Sequence, residues 1–359
     1  MSAAATPWWV WVSPTCAFVV MLVMMVSGTT GMFTAVGAAI LVPAVFSAVY
    51  HAEVIAHRIG EPFGTLVLAV AVTVIEVALI ISIMLGVAAD KAGLARDTVF
   101  AAVMIVCNGI VGLCLLSGGV RHHEQGFQVQ GASAALAVLA PLTILTLVLP
   151  NATTSAPGPT FSRSQLVFAG VVSLVLYCSF VFVQTVRHRD YFLPAEHGDE
   201  EEYVPPPSAR AALVSLGLLL VALVAIVGLA KALTPAVEGV ILWFGAPKAV
   251  VGIAIATLVL LPESLAALRA AGANRLQTSL NLALGSALAS IGLTIPAVAV
   301  VAIILGQRLD LGLNMKDTVL LALTLFAGVI TLGTGRTTVL QGMVHLIIFA
   351  TFLFLAIVP

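Results

Sequence analysis

Apolar residues run almost without interruption along this chain, and polar positions cluster in short stretches between the runs. About 20 mostly apolar residues make a helix that crosses a bilayer. By that rule eleven runs qualify, roughly 8–27, 32–50, 63–89, 98–119, 131–149, 164–186, 211–232, 246–268, 278–305, 317–334 and 338–357. They predict an all-α polytopic membrane protein. Spans and short loops use up the chain except for a connector, 187–209, RHRDYFLPAEHGDEEEYVPPPSA. It is rich in proline and acid, with an unbroken acidic run at Asp199–Glu202. We read it as a solvated linker; a cation-attracting loop at a pore mouth is the sharper alternative.

Composition supports the bilayer assignment. Hydrophobic residues make up 61% of the 359 and charged residues 9%, with a mean hydropathy of +1.15. A soluble domain carries about 25% charge, so this chain lacks the polar surface to fold in water. The net charge of −1 points away from nucleic acid and leaves the lipid bilayer as the partner. Cys16, Cys107, Cys114 and Cys178 lie in apolar runs without paired spacing, and read as buried thiols. No basic segment or small-residue cleavage site precedes the first run, so that span is expected to stay. Lys and Arg divide almost evenly between the two sides and do not orient the chain. Histidine is less even: His51, His57, His122, His123, His188 and His197 are all expected in loops on the side of the N-terminus and connector. They read as ordinary surface residues, with pH sensing as the alternative. His345 alone falls within a run.

Comparing the chain with itself is more informative. EVIAHRIGEPFGTL aligns without a gap on EGVILWFGAPKAVV, pairing Glu53 with Glu238, Gly60 with Gly245 and Pro62 with Pro247. Each copy then runs through an apolar helix to one acid, Glu76 in VTVIEVAL and Glu263 in LLPESLAAL. A span with small or polar residues follows each, CNGIVG in one copy and GSALASIG in the other. The expected organisation is an extra N-terminal helix (1–30), a five-helix repeat (31–186), the connector (187–209) and a second five-helix repeat (210–359). An odd number of spans inverts the second copy, and inverted repeats with a midplane site are a transporter architecture.

Glu76 and Glu263 are the acids that stand deep inside an expected span. An ionised acid there costs about 2.5–3.5 kcal/mol on insertion scales, so it persists where it faces a polar cavity and binds something. Two carboxylates neutralise one divalent cation or two monovalent ones, or take up two protons. Calcium wants six to eight oxygens. Candidates to complete the set are Thr73, one turn before Glu76, with Asn108, Ser286 and Ser290 in the following spans. Pro262 frees the Leu258 carbonyl one turn earlier because proline has no N–H to donate. Competition between cation and proton for the same acids is a mechanism of antiport, since low dielectric favours the protonated form.

One stretch invites a zinc reading, HAEVIAHRIGEP at 51–62, with two histidines around a glutamate. The histidines are six apart, about 120° around a helix, whereas a zinc-protease pair sits at i, i+4. No span holds HExxH or a clustered nucleophile and base, so an enzyme is not expected, nor a cofactor.

At HAEVIAHRIGEPFGTLVLAVAVTVIEVAL, LARDTVFAAVMIVCNGIVGL, QTVRHRDYF and GAPKAVVGIAIATLVLLPESLAALRAAGANRLQTSLNLALGSALASIGL the chain resembles the calcium/cation antiporter superfamily. The likeness is to its bacterial calcium/proton (sodium/proton) exchanger branch. That resemblance implies eleven helices in two inverted repeats, a cytoplasmic acidic connector and a place in the bacterial inner membrane. It also implies cation/proton exchange through one Glu per repeat, at Glu76 and Glu263. Ca²⁺ is the first expected cargo, Na⁺ or K⁺ the alternative at the same site, and a cation channel or sensor the more distant one. The chain departs from the superfamily pattern where Gly-Asn precedes each acid: Val72–Thr73 and Val259–Leu260 stand there. Gly285–Ser286 keeps the Gly-Ser of the next helix, Val103–Met104 replaces it in the first half, and Ser290 stands where Gln is expected. Fewer side-chain oxygens surround the acids than in calcium-specialised members.

Overall fold

The computed structural model describes residues 8–27, 31–60, 63–84, 92–193, 206–243 and 249–358. Its main elements are eleven helices, one for each expected run. They are α1 Trp8–Ser27, α2 Gly31–Ile59 and α3 Phe63–Met84, then α4 Leu94–His122, α5 Val129–Ala152 and α6 Arg163–Arg187. After the connector come α7 Ala209–Trp243, α8 Ala249–Gly272 and α9 Leu276–Leu305, with α10 Met315–Leu332 and α11 Val339–Ile357 last. Among the described residues ten segments are long and apolar enough to span a membrane, and α3 contributes the shorter apolar segment Val70–Ile81. Two short strands, β1 Gln125–Gly126 and β2 Arg336–Thr337, pair antiparallel. The acidic run Asp199–Glu202, His197, Pro62, Gly245 and Pro247 lie outside the described residues.

Packing divides the chain into two compact units, 1–88 with 197–245 and 89–196 with 246–359. Each unit mixes helices from both halves of the sequence. Repetition and compactness are therefore different partitions, and the repeat boundaries remain a statement about duplication.

In the first unit α1, α2 and α7 pack on one another, and α3 packs on α2 and α7. Pro14 inside α1 withholds the N–H that the Val10 carbonyl would otherwise accept one turn earlier. Ser47 Oγ donates to that carbonyl at 2.6 Å, and His51 Nε2 donates to it at 3.2 Å. The other ring nitrogen, Nδ1, accepts from the Ser215 hydroxyl at 3.2 Å. Trp11 and Tyr50 meet the imidazole edge-on. His51 is thus a buried helix residue that satisfies a proline-freed carbonyl. This corrects its expected loop position, and His345 is not the only histidine inside a spanning helix. The expectation failed because α2 continues past its apolar run to Ile59, which also places Glu53 and His57 on helix. Gly60 ends it: at φ +77° it takes the left-handed conformation, and its N–H returns to the Ala56 carbonyl at 2.9 Å. In the other half α7 overshoots its expected end at 232 in the same way and includes Glu238.

In the second unit α9 runs between α5, α6 and α8, while α4 packs on α8, α9 and α11. α4 carries a π-helical segment, Ile105–Ile110. Glycines let α11 approach it closely: a Cβ at Gly109 would meet the Phe349 ring at 3.3 Å, and one at Gly342 would meet the Leu116 backbone nitrogen at 2.6 Å. Small residues at such a crossing are how helices pack in lipid. The four thiols are free, but only Cys107 and Cys114 are buried; Cys16 and Cys178 are exposed. An apolar run does not reveal which of its faces is outermost, which is why Cys16 and Cys178 depart from the expected burial.

Candidate functional site

Glu263 follows Pro262 within α8. Counting back from Gly272, it lies about 13 Å inside the helix end, close to half of a bilayer core of about 30 Å. α9 runs the other way, so Ser286 reaches the same depth from its own helix start. The Ser286 hydroxyl donates to Glu263 Oε2. A hydroxyl aimed at a carboxylate favours its ionised form, in which it can bind a cation. Ser290, one turn further along α9, is buried. The structure therefore brings Glu263 and Ser286 into contact and sets Ser290 on the adjoining turn. Tyr177 on α6 is also buried, against Gly292 of α9.

Glu76 lies in the first unit on α3 and is 3% exposed. Thr73 is three residues earlier, on the same helix face, and is likewise buried. Both acids singled out from sequence are thus deep in spanning helices. Of the supporting acids, Glu53 is on the exposed face of α2. Glu238 lies within α7, and its side chain is outside what is described.

Asn108 is 0% exposed and sits within the π segment of α4. Its amide is held at both ends. Nδ2 donates to Thr324 Oγ1 at 2.8 Å, and Oδ1 accepts from His345 Nδ1 at 3.1 Å. His345 Nε2 in turn accepts from the Thr331 hydroxyl at 3.1 Å, and Thr324 donates to the Leu320 carbonyl at 2.7 Å. This network assigns the His345 tautomer and ties α4 to α10 and α11. Asn108 is therefore placed with Thr324 and His345.

Sequence reasoning left Tyr177, His345, Thr324 and Thr331 without a role. His345 alone carried a visible signal, as a histidine inside an apolar run. Among the described residues no group of three or more His, Cys, Asp or Glu is clustered to hold a metal.

Comparison with known proteins gives a consistent result. Residues 29–186 and 214–358 match the model of the sodium/calcium exchanger protein family. A Sinorhizobium fredii protein named as an ionic transporter, y4hA, is 50% identical, over 99% of this chain and 98% of its own. The sodium-potassium/proton antiporter ChaA of Escherichia coli is 38% identical, over 86% of this chain and 84% of its own. Among solved structures, native YfkE shares the fold with a TM-score of 0.74 at 15% identity, over 98% of this chain and 100% of that one.

Proposed function

This chain belongs to the sodium/calcium exchanger protein family, and from that premise we propose that it is a secondary active cation/proton antiporter. It is an integral, multi-pass protein of the bacterial inner membrane. It exports Ca²⁺ in exchange for H⁺ by alternating access, with cation and protons competing for Glu76 and Glu263. One observation carries this reading: a carboxylate stands inside an apolar helix at the matching place in each half, Glu76 buried and Glu263 half-buried against the Ser286 hydroxyl. Two such charges match one divalent ion. Thr73, Ser286 and Ser290 supply further oxygens, the freed Leu258 carbonyl adds another, and Asn108 supports the neighbouring helix.

Loading the cation displaces protons, and protonation displaces the cation. With neither bound, two bare carboxylates in low dielectric make the empty return unfavourable, so the protein exchanges rather than leaks. The work is transport without covalent chemistry and needs no cofactor. The 1–30, 31–186, 187–209 and 210–359 organisation, with two inverted repeats, belongs to the same proposal. It is supported by the paired Glu, Gly and Pro positions and by the matching overshoot of α2 and α7.

A second reading, Na⁺ or K⁺ in place of Ca²⁺ at the same site, is favoured by two observations. Val72, Val259 and Leu260 surround the acids with few side-chain oxygens, and the relative from Escherichia coli is named a sodium-potassium/proton antiporter. Everted, energised vesicles test both readings. Adding Ca²⁺, Na⁺ or K⁺ is expected to dissipate the proton gradient, and Glu76→Gln or Glu263→Gln is expected to abolish the response. Unchanged exchange in both variants would remove these residues from the site.

A further inference from the structure

His345 is an expensive residue for its place. It is 1% exposed near the start of α11, and a buried imidazole in an apolar spanning helix is tolerated only when its nitrogens are paired. Leucine would fill the same space at lower cost. Both ring nitrogens are committed to other helices, one to Asn108 in the π turn of α4 and the other to Thr331 on α10.

One backbone bond orients the whole chain of partners. Thr324 gives its proton to the Leu320 carbonyl, so its oxygen accepts from Asn108 Nδ2 at 2.8 Å. That leaves Asn108 Oδ1 facing the imidazole, where Nδ1 donates to it. His345 Nε2 then accepts from Thr331. The amide cannot turn over without losing a bond to α10 and another to α11. A buried polar network satisfied in one arrangement specifies that arrangement.

What the network fixes is the π turn, and the π turn joins two differently anchored parts of α4. Before it, the first turn of α4 lies against α8: a Cβ at Gly252 would meet the Asp97–Thr98 backbone at 3.0 Å. After it, α4 lies against α11, where a Cβ at Gly119 would meet the Val339 nitrogen at 2.8 Å and one at Gly342 the Leu116 nitrogen at 2.6 Å. All six residues of the turn are buried, and it packs on α8 and α9, which carry Glu263 and Ser286, as well as on α10 and α11. A π turn holds one residue more than an α-helix accommodates. Absorbing it would rotate the two parts of α4 by about 100° and shift them by about 1.5 Å relative to each other. The contacts with α8 and with α11 could not both survive that change.

Resting on the antiport reading, we propose that His345 is a positioning residue of the transport site. Through Asn108 it holds the π turn of α4, and the π turn holds α8 in the register at which Glu263 meets Ser286.

In proteoliposomes His345→Leu is expected to raise the cation KM about ten-fold, as loss of a supporting partner does at metal sites. His345→Gln keeps a donor for Asn108 and an acceptor for Thr331 and should return the KM close to its original value. Thr331→Val removes only the hydroxyl donor, serves where His345→Leu does not fold, and is expected to raise the KM about three-fold. Phe352→Ala is the packing control, because it removes a buried ring that meets Phe100 of α4 edge-on at 5.5 Å. Its Tm in detergent should fall while its KM holds. A KM unchanged in His345→Leu or Thr331→Val, one that rises as far in Phe352→Ala, or a folded His345→Gln that does not restore it overturns the proposal. Hydrogen exchange reads the π turn directly: in His345→Leu, or in Thr331→Val in its place, amides at 105–112 are expected to exchange faster than those of the remaining helices. Uniform acceleration along the chain, or none, overturns the proposal as well. If the unsubstituted protein exchanges no cation for protons, the antiport reading fails, and the exchange pattern still decides whether His345 holds the π turn.

Discussion

The Ser286 hydroxyl donates to the Glu263 carboxylate, and its removal has a direct chemical reading. Hydrogen bonds to charged groups contribute about 1.5–3 kcal/mol, and about 1.4 kcal/mol is a factor of ten in binding. Ser286→Ala therefore removes stabilisation from the carboxylate that competes for the cation. Cation affinity at fixed pH is expected to fall roughly ten-fold, read as KM in a vesicle assay, with Ser286→Thr restoring most of it. The depth of Glu76 and Glu263 in their helices and the small polar Ser286 were visible in the sequence, because an acid inside an apolar run is expensive and a small polar residue is conspicuous there; that Ser286 meets Glu263 came from the fold. Tyr177 was not legible. A tyrosine in a membrane run is common, and only the packing of α6 on α9, where Tyr177 lies against Gly292, shows that it is buried. Asn108 stood out as an amide inside an apolar run, but its immediate partners, Thr324 and His345, come from helices more than 200 residues away.

At the level of helices, the α4–α11 contact is where local geometry and packing depend on each other. The π segment Ile105–Ile110 turns Asn108 toward Thr324 and His345, and Gly109, Gly112 and Gly342 let the two backbones close in. Nothing in the apolar pattern announces a π turn, since it arises from one extra residue accommodated by neighbours. His345→Ala strands the Asn108 carbonyl and the Thr331 hydroxyl, at a cost of about 1–3 kcal/mol for each unsatisfied buried group. A clear fall in Tm in detergent is expected, smaller for His345→Gln. Gly342→Ala forces a Cβ onto the Leu116 backbone nitrogen and is expected to destabilise by about 1–3 kcal/mol, measurable in the same experiment. The helix ends of α2 and α7 also escaped the pattern, because helix continues through His51, Glu53, His57 and Glu238 after the apolar runs stop.

For the molecule as a whole, the eleven helices and the all-α membrane class were readable from hydropathy alone, although among the described residues ten of them are long and apolar enough to span, because a bilayer forces every backbone group to be satisfied within its own segment. The two packing units were not readable, since α7 joins α1, α2 and α3 across more than a hundred residues of intervening chain. A whole-molecule prediction follows from the two acids. Cation efflux from loaded vesicles should require a proton or exchangeable cation at the opposite face and slow as external pH rises in a medium free of exchangeable cations, whereas a passive, pH-independent flux would indicate a channel. The lengths of α2 and α7, 29 and 35 residues, correspond to about 43 and 52 Å of helix. Their apolar runs by themselves match a bilayer core of about 30 Å, so the surplus does not press these helices to lean; it carries backbone-satisfied helix, with Glu53, His57 and Glu238, on beyond the run and brings charge to the threshold of the bilayer. Neutralising Glu53 and Glu238 together is expected to alter the salt dependence of transport while leaving untouched the maximal turnover at saturating cation.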